Sequence, residues 1–266
     1  MKTSMPDHDD PYVVRADGEG IATLMLNRGH QFNSLSQGMI AALQGQLDAI
    51  AQDPAVRVVV IAGAGKAFCA GHDLKEMRAN HDKAFMQDLF RSCGKMMMTL
   101  TQMPQPAIAR VHGIATAAGC QLVSMCDLAI AADTARFATS GINVGLFCAT
   151  PGVGLSRNLG RKQALEMLLT GDFIDAQTAL QQGLVNRVVA GDALDAEIDK
   201  LARSIIAKSS VAIGMGKQMF YKQLEMGLDA AYQYASEVMA CNMMTEDAGE
   251  GIDAFIGKRK PAWKGY

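Results

Sequence analysis

The sequence predicts an α/β domain that is followed by a region of helices. Short apolar runs rich in β-branched residues alternate, from residue 12 to residue 189, with segments whose apolar residues recur at helical spacing. After residue 192 only the helical spacing remains. A chain of 266 residues is long enough to bury one large core and carry an appendage. We therefore expect a core domain over residues 12–202 and a helical region over residues 203–266.

Local patterns justify the elements of the first half in order. Residues 1–11 are predicted to form a polar tail. Alternating or β-branched apolar runs then predict strands at 12–15, 21–26, 56–62, 107–111 and 128–132. A turn with two glycines at 17–20 joins the first two strands into a hairpin. Cap residues at 33–36 open one helix, and a second helix covers about 81–101.

The second half is mostly helical. A helical face at 164–169 ends at Gly171, and a short helix at 176–182 precedes a last strand at 185–189. Helical spacing then predicts four further helices, at 193–208, 212–224, 230–244 and 247–257.

Composition excludes several classes of protein. The net charge is −2, so no basic excess points to nucleic acid or to an anionic membrane as a partner. No apolar run approaches the length of a membrane span. Residues 1–10 resemble neither a signal peptide nor an Arg-rich transit peptide, so a cytoplasmic location is expected. The six cysteines show no CxxC spacing, which favours buried reduced thiols over disulfides or metal ligands.

The stretch from Val111 to Asp127 stands out for its small residues. A strand is followed by Gly and Ala residues and then by an apolar helical pattern, which predicts a strand, a tight turn and a helix start. Unpaired N–H groups at a helix start suit a carbonyl oxygen that gains negative charge in a reaction. The alternative is a close helix crossing that packs on Ala and Gly, and the stretch alone favours that alternative.

Five stretches, taken together, carry a family resemblance. Two of them read Ala70-Gly71-His72-Asp73-Leu74 and Ala115-Thr116-Ala117-Ala118-Gly119-Cys120-Gln121. The full set of matching stretches is 26–33, 67–77, 113–127, 137–171 and 255–263. In this order and spacing the chain, from about residue 12 to 264, resembles the enoyl-CoA hydratase/isomerase (crotonase) superfamily. The resemblance implies a spiral of β-β-α units with a C-terminal helical region that builds trimers, often paired into hexamers.

The resemblance also implies a chemistry. The family binds acyl-CoA thioesters and holds the thioester oxygen with two backbone N–H groups, which fall here at His72 and Ala118. Coenzyme A is then part of the substrate, and no separate cofactor or metal is expected. The His72 imidazole either lines the acyl pocket or satisfies a buried hydrogen bond. We therefore expect an enzyme of fatty-acid metabolism, most simply an enoyl-CoA hydratase that forms a homotrimer or a dimer of trimers.

Further positions match the family's binding residues. The resemblance implies contacts to coenzyme A or the acyl group from these residues: His30, Gln31, Phe32, Ala70, Asp73, Leu74, Gly119, Ser140 and Gly145. Lys258 and Lys260 either meet the phosphates of coenzyme A, from this subunit or a neighbour, or form a solvated basic tail. For Asp73 and Asp127 we expect a structural capping role rather than catalysis.

Two departures affect the expected reaction. Hydratases of this family use two glutamates to place and activate water, and the matching positions here are Gln121 and Gly141. An amide has no useful pKa and a glycine has no side chain, so neither residue can move a proton. General acid and base each contribute roughly 10²- to 10⁴-fold, so their joint loss is severe. The conceivable substitutes are His72, Glu76, Asn143 and Cys148.

Three hypotheses follow from this pattern. The first is an acyl-CoA enzyme that is slow, uses a different base or runs a different crotonase-type reaction. The second is a non-catalytic acyl-CoA-binding or regulatory protein, motivated by the two missing glutamates. The third is a structural partner that joins mixed oligomers through its helical C-terminal region. The retained oxyanion-hole stretches favour the first, because a protein that only binds has no evident need for those two donors.

Overall fold

The computed structural model describes residues 10–266, so residues 1–9 of the expected polar tail lie outside it. Within the described residues the strands are β1 (Val13–Gly18), β2 (Ile21–Leu26), β3 (Val58–Gly63), β4 (Ala67–Cys69), β5 (Ala107–Val111), β6 (Ile114–Thr116), β7 (Leu128–Ala132), β8 (Arg136–Ala138), β9 (Ile174–Asp175) and β10 (Arg187–Val189). The α-helices are α1 (Gln37–Ala51), α2 (Leu74–Ala79), α3 (Lys83–Gln102), α4 (Ala118–Met125), α5 (Ala149–Asn158), α6 (Arg161–Thr170), α7 (Ala176–Gln182), α8 (Leu194–Ile206), α9 (Ser210–Gln223), α10 (Leu228–Met243) and α11 (Glu246–Ile256).

Two sheets organise the core. The large sheet has the strand order β1-β2-β3-β5-β7-β10, and its strands run parallel except for the β1–β2 hairpin. The small sheet has the order β4-β6-β8-β9. Every residue of β3 is buried, as expected for a parallel strand that is covered on both faces. The predicted hairpin at the start of the chain is confirmed by the antiparallel register of Val13 with Leu26.

The connections form a repeated unit. Three times, a strand of the large sheet is followed by a short strand of the small sheet and then by a helix. The three units are β3-β4-α2, β5-β6-α4 and β7-β8-α5. Each unit carries the chain one strand further along both sheets, so the core is a spiral of β-β-α units, as the resemblance implied.

The turn predicted after Val111 contains an additional strand. The sequence indicated a strand, a small-residue turn and a helix start, whereas β6 lies between β5 and α4. Strands β4 and β8 and helix α2 were missed in the same way. Strands β4, β6 and β8 have three residues each and β9, which was also missed, has two; such strands are too short for an alternating pattern to be recognised.

The helical region packs on the core through its first helices. Helix α8 buries Leu194, Ile198 and Ala202 against apolar residues of the large sheet. The expected domain boundary at 202/203 falls inside this helix. Asp127 caps no helix, so its expected capping role is wrong; it accepts hydrogen bonds from the Ala107 N–H and from Tyr221 of α9. Within residues 10–266, no helix combines the length and apolar character that a membrane crossing requires.

Candidate functional site

The candidate site is a cavity of about 290 Å³ beside the start of α4. Its walls come from the α4 start, from α2 and α3, from a 3₁₀ turn at Ser140–Val144 and from the segment that leads into α5. The lining residues are mostly apolar: Ala70, His72, Leu74, Met77, Phe90, Ala117, Ala118, Ser140, Gly141, Val144, Leu146, Phe147, Cys148, Ala149, Thr150 and Pro151. The volume is near the lower end of typical small-ligand pockets, about 300–1,000 Å³.

The two proposed oxyanion donors lie at one edge of this cavity. Gly71 has φ +92°, and a methyl group placed on it would lie 3.1 Å from the Ala118 nitrogen. The peptide that ends in the His72 N–H is therefore next to the first N–H of α4. Among residues 10–266, neither N–H has a hydrogen-bond acceptor. Both donors are thus free to bind an oxygen atom of a ligand.

The start of α4 is held in an unusual backbone geometry. Ala117 has φ 51° and ψ −121°, which is a rare conformation for a residue with a side chain. Such strain costs about 1–3 kcal/mol and persists only where the surroundings enforce it. Here the Ala117 N–H donates to the Ala138 carbonyl at 3.0 Å, which ties the strained residue to β8. This conformation lets α4 begin directly after β6, with Ala118 in the cavity lining.

Close packing sets the position of α4. A side chain on Gly119 would overlap with the carbonyl oxygen of Cys69 at the end of β4. Gly119 does not line the cavity, and the structure gives it a packing role. Because β4 leads directly to Gly71 and His72, this contact fixes one donor relative to the other.

The His72 imidazole lies in the cavity wall without a polar partner. Its ring meets the edge of Phe90 with centroids 5.2 Å apart. Burial lowers the pKa of the His72 imidazole to about 4, so the ring is neutral at neutral pH. Its Nε2 is buried and has no hydrogen-bond partner within the described residues.

Gln121 and Gly141, which stand where the family has its two glutamates, have different surroundings in the structure. Gln121 is buried, lies outside the cavity lining and has an unpaired Oε1 within residues 10–266. Gly141 lines the cavity, but a methyl group placed on it would lie 2.7 Å from both Cys148 Sγ and the Leu146 carbonyl oxygen. The space that a side chain at 141 would need is therefore occupied.

Two other predicted residues lie in or near the 3₁₀ turn. The Ser140 hydroxyl lines the cavity and shares a 2.7 Å hydrogen bond with the Thr116 hydroxyl, which links the turn to β6. Gly145 ends the turn with φ +80°, is exposed and does not line the cavity. Its left-handed conformation is one that glycine adopts without strain.

The first two motifs of the expected coenzyme A site are joined by backbone pairing. His30, Gln31 and Phe32 form an exposed turn, and the Phe32 carbonyl accepts from the Ala70 N–H at 3.0 Å. This hydrogen bond places the turn next to the cavity wall that Ala70 and Leu74 provide.

The remaining predicted residues lie outside the cavity wall. The Asp73 carboxylate accepts from the N–H groups of Lys75 and Glu76 and so caps α2, as expected. Lys258 and Lys260 are exposed beyond α11 and do not line the cavity.

The structure also shows where the possible substitute acids and bases lie relative to the cavity. The Glu76 carboxylate accepts from the Gln37 N–H at 3.0 Å and does not line the cavity. Asn143 is exposed. Cys148 lines the cavity, but burial raises the pKa of its thiol, which disfavours the reactive thiolate. His72 is therefore the substitute candidate with an ionisable nitrogen in the cavity wall.

Sequence reasoning missed the apolar walls of the cavity. Met77, Leu146 and Phe147 line it and fall within the matching stretches, but no role was expected for them; Phe90 also lines it and lies outside every stretch. Phe90 was hidden in the apolar pattern of α3, where helical spacing could not tell a core residue from a ligand contact.

Comparisons with known proteins agree with this architecture. A family model described as enoyl-CoA hydratase/isomerase matches residues 16–266. The chain is 46% identical to the Xenopus laevis protein named "Enoyl-CoA hydratase domain-containing protein 3, mitochondrial", over 95% of this chain and 86% of that protein. It is similar to a solved Mycobacterium smegmatis enoyl-CoA hydratase, with TM-score 0.94, 55% identity and coverage of 96% and 99% of the two chains. The solved human enoyl-CoA hydratase domain-containing protein 3 gives TM-score 0.92 and 43% identity, over 95% and 100%.

These relatives correct one expectation. The Xenopus and human relatives are named mitochondrial, so the cytoplasmic location expected from residues 1–10 is wrong. Residues 1–9 lie outside the described part of the chain. Receptors read a cellular address from short targeting segments, so the folded core carries no information about location.

The resemblance noted in the sequence is confirmed over nearly its whole length. The family match spans residues 16–266, and the solved relatives cover at least 95% of this chain at TM-scores of 0.92 and 0.94. The chain therefore belongs to the enoyl-CoA hydratase/isomerase family.

Proposed function

We propose that this protein is an enzyme of fatty-acid metabolism that acts on acyl-CoA thioesters. The observation that carries the proposal is the pair of free N–H groups, at His72 and Ala118, beside an otherwise apolar cavity. A thioester carbonyl seated between them gains two donors at the edge of a mostly apolar cavity. Removal of one such donor typically costs about 3–4 kcal/mol in the transition state, so the pair is worth far more than ordinary binding contacts.

The chemistry that such a site supports is enolate formation. When the α-carbon of the acyl group loses a proton, the electron pair moves into the thioester and charge collects on its oxygen. The two N–H groups, with the start of α4 behind Ala118, stabilise that charge. The resulting enolate is shared by hydration, isomerisation and related reactions of acyl-CoA. Which of them follows depends on where the next proton is delivered.

Hydration by the usual pair of glutamates does not fit these residues. Gln121 cannot accept a proton, and the space beside Gly141 is filled by Cys148 and Leu146. The nominal enoyl-CoA hydratase activity is therefore expected to be slow or to use another base, for which His72 is the candidate. The second candidate function is acyl-CoA binding without turnover, and the filled space at Gly141 is the observation that favours it.

The donor pair is tested with the variant Gly71→Ala. A methyl group there would lie 2.8 Å from Ala117 Cβ and 3.1 Å from the Ala118 nitrogen, so the two donors must separate. We expect the infrared shift of a ¹³C-labelled acyl-CoA carbonyl, which reports polarisation by the donors, to be lost on binding to the variant. The control is Gly183→Ala, which introduces a side chain at a similar φ of +88° with its nearest neighbour 3.4 Å away.

Two results separate the candidate functions. Wild-type protein is incubated with a short trans-2-enoyl-CoA, and loss of its ultraviolet band is followed beside the variant Gln121→Glu. Turnover by the wild type, abolished in Gly71→Ala but not in Gly183→Ala, supports the enzyme. A shifted carbonyl with no turnover supports the binding protein. An unshifted carbonyl in the bound wild-type complex contradicts both.

We also propose that the protein assembles with copies of itself, as a homotrimer or a dimer of trimers. Support comes from large apolar side chains that the single chain leaves exposed on its last helices. Phe255 is 85% exposed and Met244 is 82% exposed, and Leu228, Tyr232, Met239 and Ile256 are exposed on the same region. A surface patch of this kind on a folded chain marks an interaction site. The alternative is a mixed oligomer with a related subunit.

A further inference from the structure

The His72 side chain is a buried polar group that the protein itself leaves unpaired. Its Nε2 is buried and has no hydrogen-bond partner within residues 10–266. The nearest ring, Phe90, offers only an apolar edge contact. His112, which lies outside the cavity lining, also has a buried unpaired nitrogen, Nδ1, but its Nε2 lies 3.0 Å from the Gly65 carbonyl oxygen.

An unpaired imidazole in a cavity wall has a physical cost. A neutral ring carries one donor and one acceptor, and the one at Nε2 costs roughly 1–3 kcal/mol because it is buried without a partner. An apolar side chain of similar size would remove that cost and would pack equally well against Phe90. The backbone N–H at this position would be retained by almost any residue, so the oxyanion donor does not explain why the side chain is histidine.

The polar side chains of the cavity lining do not form a hydrogen bond with the His72 imidazole. The Ser140 hydroxyl lines the cavity but is already bonded to Thr116. The other polar side chains of the lining, Thr150 and Cys148, make no hydrogen bond to His72 Nε2 within residues 10–266. A partner for the imidazole must therefore come from the molecule that fills the cavity.

We propose that the His72 side chain selects acyl groups that carry a hydroxyl or keto group, by forming a hydrogen bond to that group inside the cavity. The inference rests on the proposed function, because the thioester must first be seated on the His72 and Ala118 N–H groups. The neutral ring can donate to a keto oxygen, and to a hydroxyl it can donate or accept. An unsubstituted hydrocarbon chain fills the same space and leaves the ring unpaired, so it binds less tightly.

The test compares matched acyl-CoA molecules. Dissociation constants are measured by titration calorimetry for butyryl-CoA and for its β-hydroxy, β-keto and γ-hydroxy counterparts. We expect at least one substituted molecule to bind the wild type roughly 10- to 100-fold more tightly than butyryl-CoA, the size expected for one buried hydrogen-bonding group. In His72→Phe, whose ring can keep the contact to Phe90, we expect this ratio to fall to about one.

Two more variants complete the experiment. His112→Phe replaces a histidine outside the cavity lining and is expected to leave the ratio unchanged. His72→Gln restores a donor and an acceptor and is expected to recover part of the preference. This variant also keeps the test possible if His72→Phe does not fold. The proposal is overturned if the wild type shows no preference, or if the preference survives in both His72 variants. If the wild type binds none of the four molecules, the proposed function itself fails.

Discussion

Gly119 shows how a single hydrogen atom in place of a methyl group positions the site. Because a side chain there would overlap with the Cys69 carbonyl oxygen, Gly119→Ala must push α4 away from β4. Overpacking against a flexible neighbour costs about 1–3 kcal/mol, and a backbone neighbour yields less easily. We expect a loss of at least this size in the free energy of unfolding, measured by urea titration, together with a loss of acyl-CoA binding.

The matched control for that substitution is Gly94→Ala in α3. A methyl group on Gly94 would meet no atom within 4 Å, and alanine favours helix by about 0.5–1 kcal/mol over glycine. The control is expected to be neutral or slightly stabilising. If Gly119→Ala behaves like Gly94→Ala, the close contact between α4 and β4 does not exist in solution.

The buried imidazole of His72 makes stability depend on pH. Burial lowers the pKa of His72 to about 4. A histidine in the unfolded chain has the ordinary pKa of about 6.5. As the pH falls, the unfolded chain therefore takes up its proton first, and stability is lost between about pH 6.5 and about pH 4. The loss from this residue is at most roughly 3 kcal/mol.

The comparison is between the wild type and His72→Phe. Urea unfolding at about pH 7 and at about pH 4.5 gives the loss in the free energy of unfolding for each protein. The contributions of other titrating groups cancel when the two losses are compared. The wild type should lose more stability than the variant on acidification. Equal losses would mean that the imidazole is solvated or paired in the folded protein.

At the scale of the element, one buried charged group attaches α9 to the core. Lys217 of α9 forms a 2.7 Å ion pair with Asp127 and donates to the carbonyls of Leu100 and Gln105. Burial lowers the pKa of Lys217, and the negative charge of Asp127 opposes this shift. Lys217→Met leaves the Asp127 carboxylate without its cation, which is expected to cost about 3–5 kcal/mol.

An exposed ion pair provides the control for that element. Arg157 and Glu225 lie 3.3 Å apart with both side chains more than half exposed, so Arg157→Met should cost about 0–1 kcal/mol. The free energies of unfolding of the two variants are compared by urea titration. Similar losses in both variants would show that α9 is not held to the core through Lys217.

Some of the helices and strands could be predicted from the sequence and others could not. Strands β5 and β7 and helix α7 were predicted with their observed bounds, because each shows a clear apolar period or a β-branched run. Strands β4 and β6 were not predicted, because three residues are too few to show a period. These short strands end two or three residues before the proposed oxyanion donors, so the pattern was weakest beside the candidate site.

At the scale of the whole molecule, the exposed apolar side chains of α10 and α11 predict self-association. Light scattering after size exclusion should give a mass three or six times that of one chain. Placing charge in this surface, with Met239→Asp and Phe255→Asp together, is expected to shift the mass towards a single chain. Leu169→Asp, at an apolar residue that is 62% exposed on α6, serves as the control and should leave the mass unchanged. A wild-type mass of one chain would contradict the prediction.

The whole site could be located from the sequence only with the help of the resemblance. Composition and periodicity gave an α/β core and a helical end. The resemblance implied that the donors lie at His72 and Ala118, which stays a prediction. No pattern in one sequence could show that Gly141 lacks room for a side chain, because the residues that fill the space, Leu146 and Cys148, follow it in an irregular segment. Contacts of this kind depend on how a loop folds back, which local spacing does not encode.

The filled space beside Gly141 constrains how this protein can change. A glutamate at 141 would meet Cys148 Sγ and the Leu146 carbonyl oxygen before it reached the cavity, so the substitution is unfavourable in the present background. It becomes acceptable only after the segment 146–148 has moved or shrunk. Positions 141 and 148 are therefore expected to be epistatic, with effects that do not add. A carboxylate at 141 is therefore expected to need a compensating change in the segment 146–148.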